Sequence, residues 1–536
     1  MMQKMSSPGS ERPDYDLVVV GGAFSGTATA VLVKRWNPDA RVLVIERSEQ
    51  FGRRVGEATV EISSLFLHRV LGIYDHLSRE HLPKHGLRYW LADHPGRSLA
   101  EMTEVGPREV PRLPSFQLDR ARLDQYMLAL AADEGIEVRR PARLREFDLG
   151  WPESRLTIEE DGEHHEVTTR WVVDATGRQA VLARRMKLHE RFDGHPTAAM
   201  WGRWRGVADL DSPDLLGADP RAPGLPEMFS ARRLATNHFT GYGWWCWVIP
   251  LAGGETSIGL VWNKKLWQPP STGTKRERYE AFLRSQAGLK DLVADAEIIA
   301  DESGEDFNAL HHLPYRSRRY MDRGWALVGD AASFIDPYYS PGLDHAAMSI
   351  FATARVLEDD LKAHFAGEGD PERLAAAIES HNEQFEVSYD RWFEAIYRDK
   401  YELMGDAELI TAAYLLDTAL YYMGVVSPAY EELEMLRYPT FGGPFPHNPV
   451  VYRVIGAYRR RLTTLARFRR RIGIYGRKNA GWRLYGGTPG LRHKAAAMLI
   501  SGLKVWLGLE VSTAVERIKR GRLRISEPRP VAMEGS

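Results

Sequence analysis

The sequence predicts an α/β fold in which a Rossmann-like core is interrupted by an antiparallel sheet and followed by a helical C-terminal extension. A glycine-rich turn joins an apolar strand to a helix near the N-terminus, tryptophan-rich strands lie between residues 195 and 320, and helical periodicity dominates after residue 385. We expect residues 1–13 to form a disordered tail, 14–385 the core and 386–536 a basic helical region.

The first element is a strand, a turn and a helix. Residues 16–20 have the pattern of a buried parallel strand, residues 21–26 form the turn Gly-Gly-Ala-Phe-Ser-Gly, and residues 27–35 have a helical pattern. This order is typical of a dinucleotide-binding βαβ unit. Gly21 permits the tight turn, Gly26 lets the helix pack against the sheet, and the helix N-terminus attracts a pyrophosphate.

The same unit supplies two further candidates. Ala23 occupies the position of the usual second glycine, where the backbone approaches the phosphates. The next strand, residues 41–45, ends in Glu46, where a carboxylate accepts hydrogen bonds from ribose hydroxyls. Together with Gly21 and Gly26, these residues predict a dinucleotide site.

Two later segments favour FAD over NAD as the dinucleotide. Residues 171–178 read Trp-Val-Val-Asp-Ala-Thr-Gly-Arg, and residues 325–332 read Trp-Ala-Leu-Val-Gly-Asp-Ala-Ala. Both resemble elements of the para-hydroxybenzoate hydroxylase superfamily of flavoproteins. The resemblance implies that Asp330 holds the ribityl hydroxyls of FAD and that Arg120 lies near the cofactor. It also assigns Asp174, Gly177 and Ala331 to the cofactor site.

A tryptophan-rich strand stands out in the middle of the chain. Side chains alternate between faces along a strand, so Trp245, Trp247 and Ile249 share one face, and Pro250 ends the ladder because it has no N–H. Taken alone, this pattern fits an ordinary core strand of an antiparallel sheet. Cys246, the single cysteine, lies on the opposite face and is expected to be an inert buried thiol.

The tryptophan strand and three other segments together resemble the flavin-dependent halogenases, the family that includes tryptophan halogenases. These segments are the loop Gly-Glu-Ala-Thr at residues 56–59, Lys-His-Gly at residues 84–86, and a Phe-x-x-Pro-x-x-Ser-x-Gly pattern at residues 334–342. The lysine segment is closer to the phenol and pyrrole halogenases, including those that act on carrier-bound substrates.

The resemblance implies a reaction and a role for each segment. Reduced FAD, O2 and chloride or bromide would give hypohalous acid, which passes to Lys84 and then halogenates an electron-rich phenol, pyrrole or carrier-tethered ring. Glu57 would have an orienting role near the flavin. Ser340, Gly342 and Leu343 would bind halide, and the barrier between flavin and substrate would consist of Trp245, Trp247, Ile249, Pro250, Phe334 and Pro337.

Two departures and two alternatives accompany this interpretation. Pro341 removes an N–H where halogenases commonly contact halide, and Tyr339 stands where tryptophan halogenases carry a glutamate, which disfavours free tryptophan as substrate. A lysine in a turn such as residues 82–86 is ordinarily solvated. The alternative function is a flavin-dependent monooxygenase or reductase on the same fold, without halide use.

Composition and charge limit the remaining functions. Residues 451–530 hold 20 basic and three acidic residues, although the net charge of the chain is −1. This basic region could pack on the acidic core, dock to an acidic carrier protein, or contact an anionic membrane. We expect a partner flavin reductase, no metal and no nucleic acid. We also expect no secretion signal, no membrane-spanning run and a cytoplasmic location, with membrane-peripheral contact as the alternative.

Overall fold

The computed structural model describes residues 12–92, 97–216, 230–301, 304–431, 449–486 and 493–519. Residues 1–11 of the predicted tail lie outside the described residues. The α-helices are α1 (Phe24–Trp36), α2 (Glu61–Leu65), α3 (Tyr74–Glu80), α4 (Arg120–Asp133), α5 (Val181–Arg185), α6 (Pro213–Leu216), α7 (Lys275–Ser285), α8 (Leu289–Leu292), α9 (Gly342–Ala366), α10 (Pro371–Trp392), α11 (Ala407–Tyr421), α12 (Ser427–Glu431), α13 (Pro449–Arg471) and α14 (His493–Lys519).

The strands are β1 (Tyr15–Val20), β2 (Val42–Ile45), β3 (Leu82–Pro83), β4 (Leu87–Leu91), β5 (Glu104–Pro107), β6 (Phe116–Gln117), β7 (Glu137–Arg139), β8 (Ala142–Asp148), β9 (Ser154–Glu160), β10 (Glu163–Asp174), β11 (His189–Arg191), β12 (Thr197–Arg205), β13 (Thr236–Gly241), β14 (Trp244–Pro250), β15 (Glu255–Asn263), β16 (Glu297–Ile298), β17 (Ala300–Asp301), β18 (Gly304–Glu305), β19 (Phe307–Leu310), β20 (Tyr315–Ser317), β21 (Met321–Asp322), β22 (Trp325–Leu327), β23 (Ser333–Phe334) and β24 (Arg483–Gly486).

The first large sheet is the predicted Rossmann-like core. Its strands run in the order β21-β22-β10-β1-β2-β7. Strands β22, β10, β1, β2 and β7 are parallel to one another, and β21 is antiparallel to β22. The antiparallel strands β8 and β9 extend from β10. Helix α1 follows β1 directly, so its N-terminus lies at the carboxyl edge of the parallel strands, where ligands of open α/β sheets bind.

The second large sheet has the order β16-β12-β15-β14-β13-β4-β5-β24, with β19 also paired to β12. Pairs among the strands between residues 195 and 320 are antiparallel, as predicted. The sheet also takes in strands from outside that interval. It continues through a parallel β13–β4 pair and ends at a parallel β5–β24 pair, so the C-terminal region contributes a strand besides its helices.

Strand β14 separates two apolar cores. Trp245, Trp247 and Ile249 pack into the core that contains the parallel sheet, whereas Trp244 and Cys246 pack into a second core beneath the other face. The predicted alternation of this strand is therefore confirmed. Cys246 is fully buried, and burial raises the pKa of its thiol well above the ordinary value, which keeps the thiol protonated.

The C-terminal helices pack on the core, and their arginines meet acidic partners of the same chain. Arg469 of α13 is fully buried between Asp406 and Glu408, with N–O distances of 3.0 and 2.7 Å. Arg467 pairs with Glu402 at 2.6 Å. These acidic partners belong to the C-terminal region itself rather than to residues 14–385, so the pairs neutralise part of the basic region from within and leave its packing on the acidic core a prediction.

Two described helical segments are long and apolar enough, by length and composition, to cross a membrane: Ala407–Glu431 and Ala495–Ile518. The expectation that no run reaches that length is therefore wrong. The first segment is mostly buried in the protein, as a core helix is, whereas the second is mostly exposed.

Candidate functional site

A cavity of about 1390 Å³ lies where the two large sheets meet. Of the predicted site residues, the following line it: Gly21, Ala23, Glu46, Glu57, Arg120, Gly177, Trp245, Trp247, Ile249, Asp330, Phe334, Pro337, Ser340, Gly342 and Leu343. Residues that are far apart in the sequence, from the glycine turn to the tryptophan strand, thus surround one space.

Glycines shape the end of the cavity next to β1. Gly21 has a φ of +107°, and a Cβ added there would lie 2.6 Å from the carbonyl oxygen of Ala175. A Cβ on Gly26 would lie 1.8 Å from the carbonyl oxygen of Gly21, so neither position accepts a side chain. Gly26 itself is buried and shapes the turn from behind the cavity wall.

The start of α1 fits a pyrophosphate. Its N-cap residue, Ala23, has no side chain that could accept hydrogen bonds from the first helical amides. Asp124 accepts from the N–H of Phe24 at 3.1 Å, and Ser25 lines the cavity one residue further on. The remaining amides and the positive end of the helix dipole are suited to a phosphate anion.

Glu46 and Asp330 place carboxylates on opposite parts of the cavity wall. The two oxygens of Glu46 accept from the N–H groups of Gly22 at 2.8 Å and Ser48 at 2.9 Å, and this fixes the carboxylate at the end of β2. Burial raises the pKa of Asp330, while the Arg178 and Arg120 guanidiniums oppose that rise. Arg120 is held by Asp124 at 3.0 Å.

Besides Gly26 and Lys84, three predicted site residues are absent from the described cavity wall for identifiable reasons. Asp174 is fully buried and accepts from the N–H of Thr176 at 2.9 Å and the N–H of Leu182 at 2.7 Å, so its carboxylate folds the loop after β10. Ala331 is buried behind Asp330. Pro250 ends β14 beyond the cavity.

Glu57 lies in the cavity wall as part of an ion-pair cluster. Arg203 of β12 donates to Glu57 at 2.9 Å and also pairs with Asp119 and Glu255, each at 3.2 Å. Burial raises the pKa of Glu57 to about 7 even though Arg203 opposes the rise. The carboxyl therefore lies near its titration point at neutral pH.

The tryptophan face is fixed by polar contacts at its edges. The indole N–H of Trp247 donates to Ser257 Oγ at 3.1 Å. The indole N–H of Trp245 donates to the hydroxyl of Tyr401 at 2.9 Å, and that hydroxyl donates to Asp336 at 2.8 Å. Tyr401 belongs to the C-terminal region, so this region holds the aromatic wall of the cavity in place.

The loop before α9 has an unusual backbone. Tyr339 and Ser340 both have positive φ angles, +71° and +60°, although neither is glycine, and such conformations cost about 1–3 kcal/mol each. The turn directs the start of α9 into the cavity, where Gly342 and Leu343 lie. Their amides have no hydrogen-bond partner among the described residues.

Pro341 is the N-cap of α9, so the missing proline N–H removes a donor without interrupting the helix. The amide of Ser340 is occupied, because it donates to the carbonyl oxygen of Pro337 at 2.9 Å. The two amides at the start of α9 therefore remain as backbone donors toward an anion, together with the positive end of a 25-residue helix.

Lys84 is buried and lies outside the described cavity wall. It follows β3, is 3% exposed, and donates to the carbonyl oxygen of Thr59 at 2.7 Å. The burial is inconsistent with an ordinary solvated lysine. Desolvation lowers the pKa of Lys84 to about 8, and the carboxylates of Glu61 and Asp344 oppose the decrease.

His238 connects the cavity wall to the surroundings of Lys84. It lines the cavity, and its ring centroid is 5.3 Å from that of Trp245. Burial lowers the pKa of His238 to about 3, and the charge of Lys84 adds to the decrease. Lys84 is therefore close enough to this neutral imidazole of the cavity wall for its charge to act on it.

Arg203, His238 and Asp344 were not predicted from the sequence. Asp344 is fully buried, accepts from the N–H of Ser63 at 2.7 Å and the hydroxyl of Tyr421 at 2.7 Å, and burial raises its pKa to about 7. Arg203 carried a usable signal. An arginine flanked by tryptophans at an inward-facing strand position needs a buried acidic partner.

The family model described as FAD binding domain matches residues 14–384. The chain belongs to this family. This match confirms the prediction of an FAD cofactor. The glycine turn, the start of α1 and Asp330 fit that cofactor.

Curated relatives and solved structures support the resemblance to halogenases. The chain is 25% identical over 464 residues to the flavin-dependent halogenase chlA of Dictyostelium discoideum, covering 78% of this chain and 70% of the relative. It is 25% identical over 367 residues to a 1H-pyrrole-2-carbonyl-(peptidyl-carrier protein) chlorinase of Pseudomonas fluorescens, covering 65% of this chain and 76% of the relative.

Among solved structures, halogenase PltM in complex with phloroglucinol and FAD superposes with a TM-score of 0.68 at 17% identity, covering 93% of this chain and 96% of the other. Flavin-dependent brominase Bmp2 superposes with a TM-score of 0.57 at 18% identity, covering 83% and 99%. The predicted fold class, the resemblance to flavin-dependent halogenases and the assignment as an FAD-dependent halogenating oxidoreductase are confirmed.

Proposed function

We propose that this enzyme uses reduced FAD, O2 and chloride or bromide to form hypohalous acid, and that Lys84 relays the halogen to an electron-rich substrate. The observation that carries the proposal is a buried lysine outside the cavity wall whose charge acts on His238, a cavity-lining residue beside Trp245. Reduced FAD, when bound, supplies the electrons that activate O2. The residues of the chain bind the halide, keep the substrate away from the flavin and direct the hypohalous acid to Lys84.

The start of α9 is the proposed halide site. The amides of Gly342 and Leu343 would donate hydrogen bonds to the anion, and Ser340 lies beside them in the same cavity wall. The aromatic wall excludes an arene from this end of the cavity, so halide meets the oxidant first. Glu57 has an orienting role near the flavin, and its hydrogen bonds with Arg203 and Ser257 hold its carboxyl in place.

Lys84 has the properties that the relay needs. With a pKa of about 8, about one tenth of its amine is uncharged at pH 7, far more than for a solvated lysine. The uncharged Nζ can attack the halogen of hypohalous acid, forming an N–halogen bond and releasing hydroxide. The ammonium form can instead donate a hydrogen bond to the oxygen of the acid and orient it.

We propose a phenol, a pyrrole or a carrier-tethered ring as substrate. Tyr339 occupies the position before Ser340, and its hydroxyl donates to Asp417 at 3.1 Å, so it does not replace the glutamate of the tryptophan halogenases. The pyrrole-carrier chlorinase among the relatives and the phloroglucinol in the PltM complex agree with this substrate class. A flavin reductase is the proposed source of reduced FAD.

The test supplies the purified enzyme with photoreduced FAD, O2 and bromide or chloride, with monochlorodimedone as a trap and a panel of phenols and pyrroles. Halide-dependent consumption of the trap and a halogen-bearing product in the mass spectrum are expected. Oxygen insertion or double-bond reduction that proceeds without halide would instead establish the monooxygenase or reductase alternative.

A further inference from the structure

The outer face of α14 is apolar, which is the reverse of the usual surface helix. The large apolar side chains on it are 42–80% exposed, and they are Ile500, Leu503, Leu507, Val511, Val515 and Ile518. Their spacing of three or four residues places them in one stripe along the helix. The stripe runs from Ile500 to Ile518, 18 steps along the helix, or about 27 Å at 1.5 Å per residue. We call it the α14 stripe.

The helix cannot turn the α14 stripe inward, because its opposite face is already docked. Ala495, Met498 and Leu509 are buried on that side. A Cβ added at Gly502 would lie 3.0 Å from the side chain of Leu416, so α14 approaches α11 closely at this point. The stripe therefore needs an external partner if it is to be covered.

The charges around the α14 stripe are basic. Lys504 and Arg517 are the charged residues among the described exposed positions of α14, Glu516 is half-buried beside Arg517, and the sequence continues beyond α14 with Arg520, Arg522 and Arg524. Glu510 is half-buried at the flank and is neutralised by Arg461 at 2.5 Å. In contrast, Arg467 and Arg469 of α13 are already neutralised by Glu402 and Asp406.

We propose that α14 lies in the interface of an anionic lipid membrane, with the α14 stripe among the acyl chains and the flanking cations at the headgroups. An aliphatic face edged by basic residues has the composition of an in-plane interfacial helix. The docked inner face excludes a spanning orientation, because lipid would have to replace α11. An acidic carrier protein would instead meet few charges and much aliphatic surface here. This inference is independent of the proposed halogenation.

The test is co-sedimentation of the full-length, FAD-loaded protein with vesicles of phosphatidylcholine and phosphatidylglycerol in a 70:30 ratio. We expect binding that weakens without phosphatidylglycerol, and a Leu507→Glu/Val511→Glu variant that binds at least tenfold more weakly. Val454→Glu, at a position on α13 that is 58% exposed, is the matched control and should bind like the wild type. Unchanged FAD binding by each variant shows that the fold is intact.

Each other outcome overturns the proposal. A wild-type protein that stays in the supernatant, or a double variant that sediments like the wild type, removes the membrane contact. Wild-type dimers that dissociate in the double variant, without vesicle binding, would assign the stripe to a second copy of the chain. Binding of an acyl carrier protein that depends on Leu507, again without vesicle binding, would assign it to that partner.

Discussion

Replacing Lys84 by methionine tests whether burial of the Lys84 amine makes the stability of the protein depend on pH. Methionine keeps the length of the side chain and removes the charge. The pKa of Lys84 is lowered from 10.5 to about 8, a difference worth about 3 kcal/mol between the charged and uncharged forms. Because the unfolded chain binds more protons between these two values, the contribution of Lys84 to the stability of the wild type should rise with pH across this window and be constant below about pH 8.

The measurement compares denaturant unfolding of wild type and Lys84→Met at pH 7 and pH 10.5. Relative to the variant, the wild type should lose about 3 kcal/mol on going from the higher to the lower pH. Terms that do not depend on pH, including the lost bond to Thr59, cancel in this comparison. Lys265→Met, which removes an exposed amine, is the control. A wild-type-minus-variant difference that is constant with pH would refute the buried, desolvated amine.

Two further predictions concern the cofactor and the halide. Gly21→Ala places a Cβ 2.6 Å from the carbonyl oxygen of Ala175, so this variant should bind FAD at least tenfold more weakly in a fluorescence titration. The control is Gly135→Ala. Gly135 also has a positive φ, but a Cβ there meets no atom within 4 Å, so this variant should bind FAD normally. Tyr339→Phe removes the hydrogen bond to Asp417 that supports the positive-φ turn. The KM for bromide should therefore rise several-fold, with a smaller change in kcat. A variant with the same KM for bromide as the wild type would contradict the assigned role of the turn.

Local patterns in the sequence were sufficient for the cofactor end of the site. The strand, turn and helix around Gly21 and the carboxylate of Glu46 lie within some thirty residues, and steric rules determine their arrangement. The helix was predicted from residue 27 and begins at Phe24, because the turn residues themselves supply its first amides. The alternation of Trp245 and Trp247 likewise follows from strand geometry alone.

Contacts between distant segments could not be predicted. Arg203 pairs with Glu57 across 146 positions of sequence, and no short-range periodicity indicates which carboxylate a buried arginine meets. Strand β24 joins the second sheet only because β5 offers a free edge, whereas its own region has a helical pattern. The open face of α14 was also not predictable, since its apolar residues surround the helix and periodicity does not show which of them are covered.

The most direct test of the account separates formation of the oxidant from its use. Lys84→Met and wild-type enzyme are given reduced FAD, O2 and bromide, and brominated monochlorodimedone and brominated phenol or pyrrole product are measured in parallel. The account predicts that the variant still releases hypobromous acid to the trap at close to the wild-type rate but no longer brominates the substrate. A variant that brominates the substrate as well as the wild type, or one that loses both activities while still binding FAD, would contradict it.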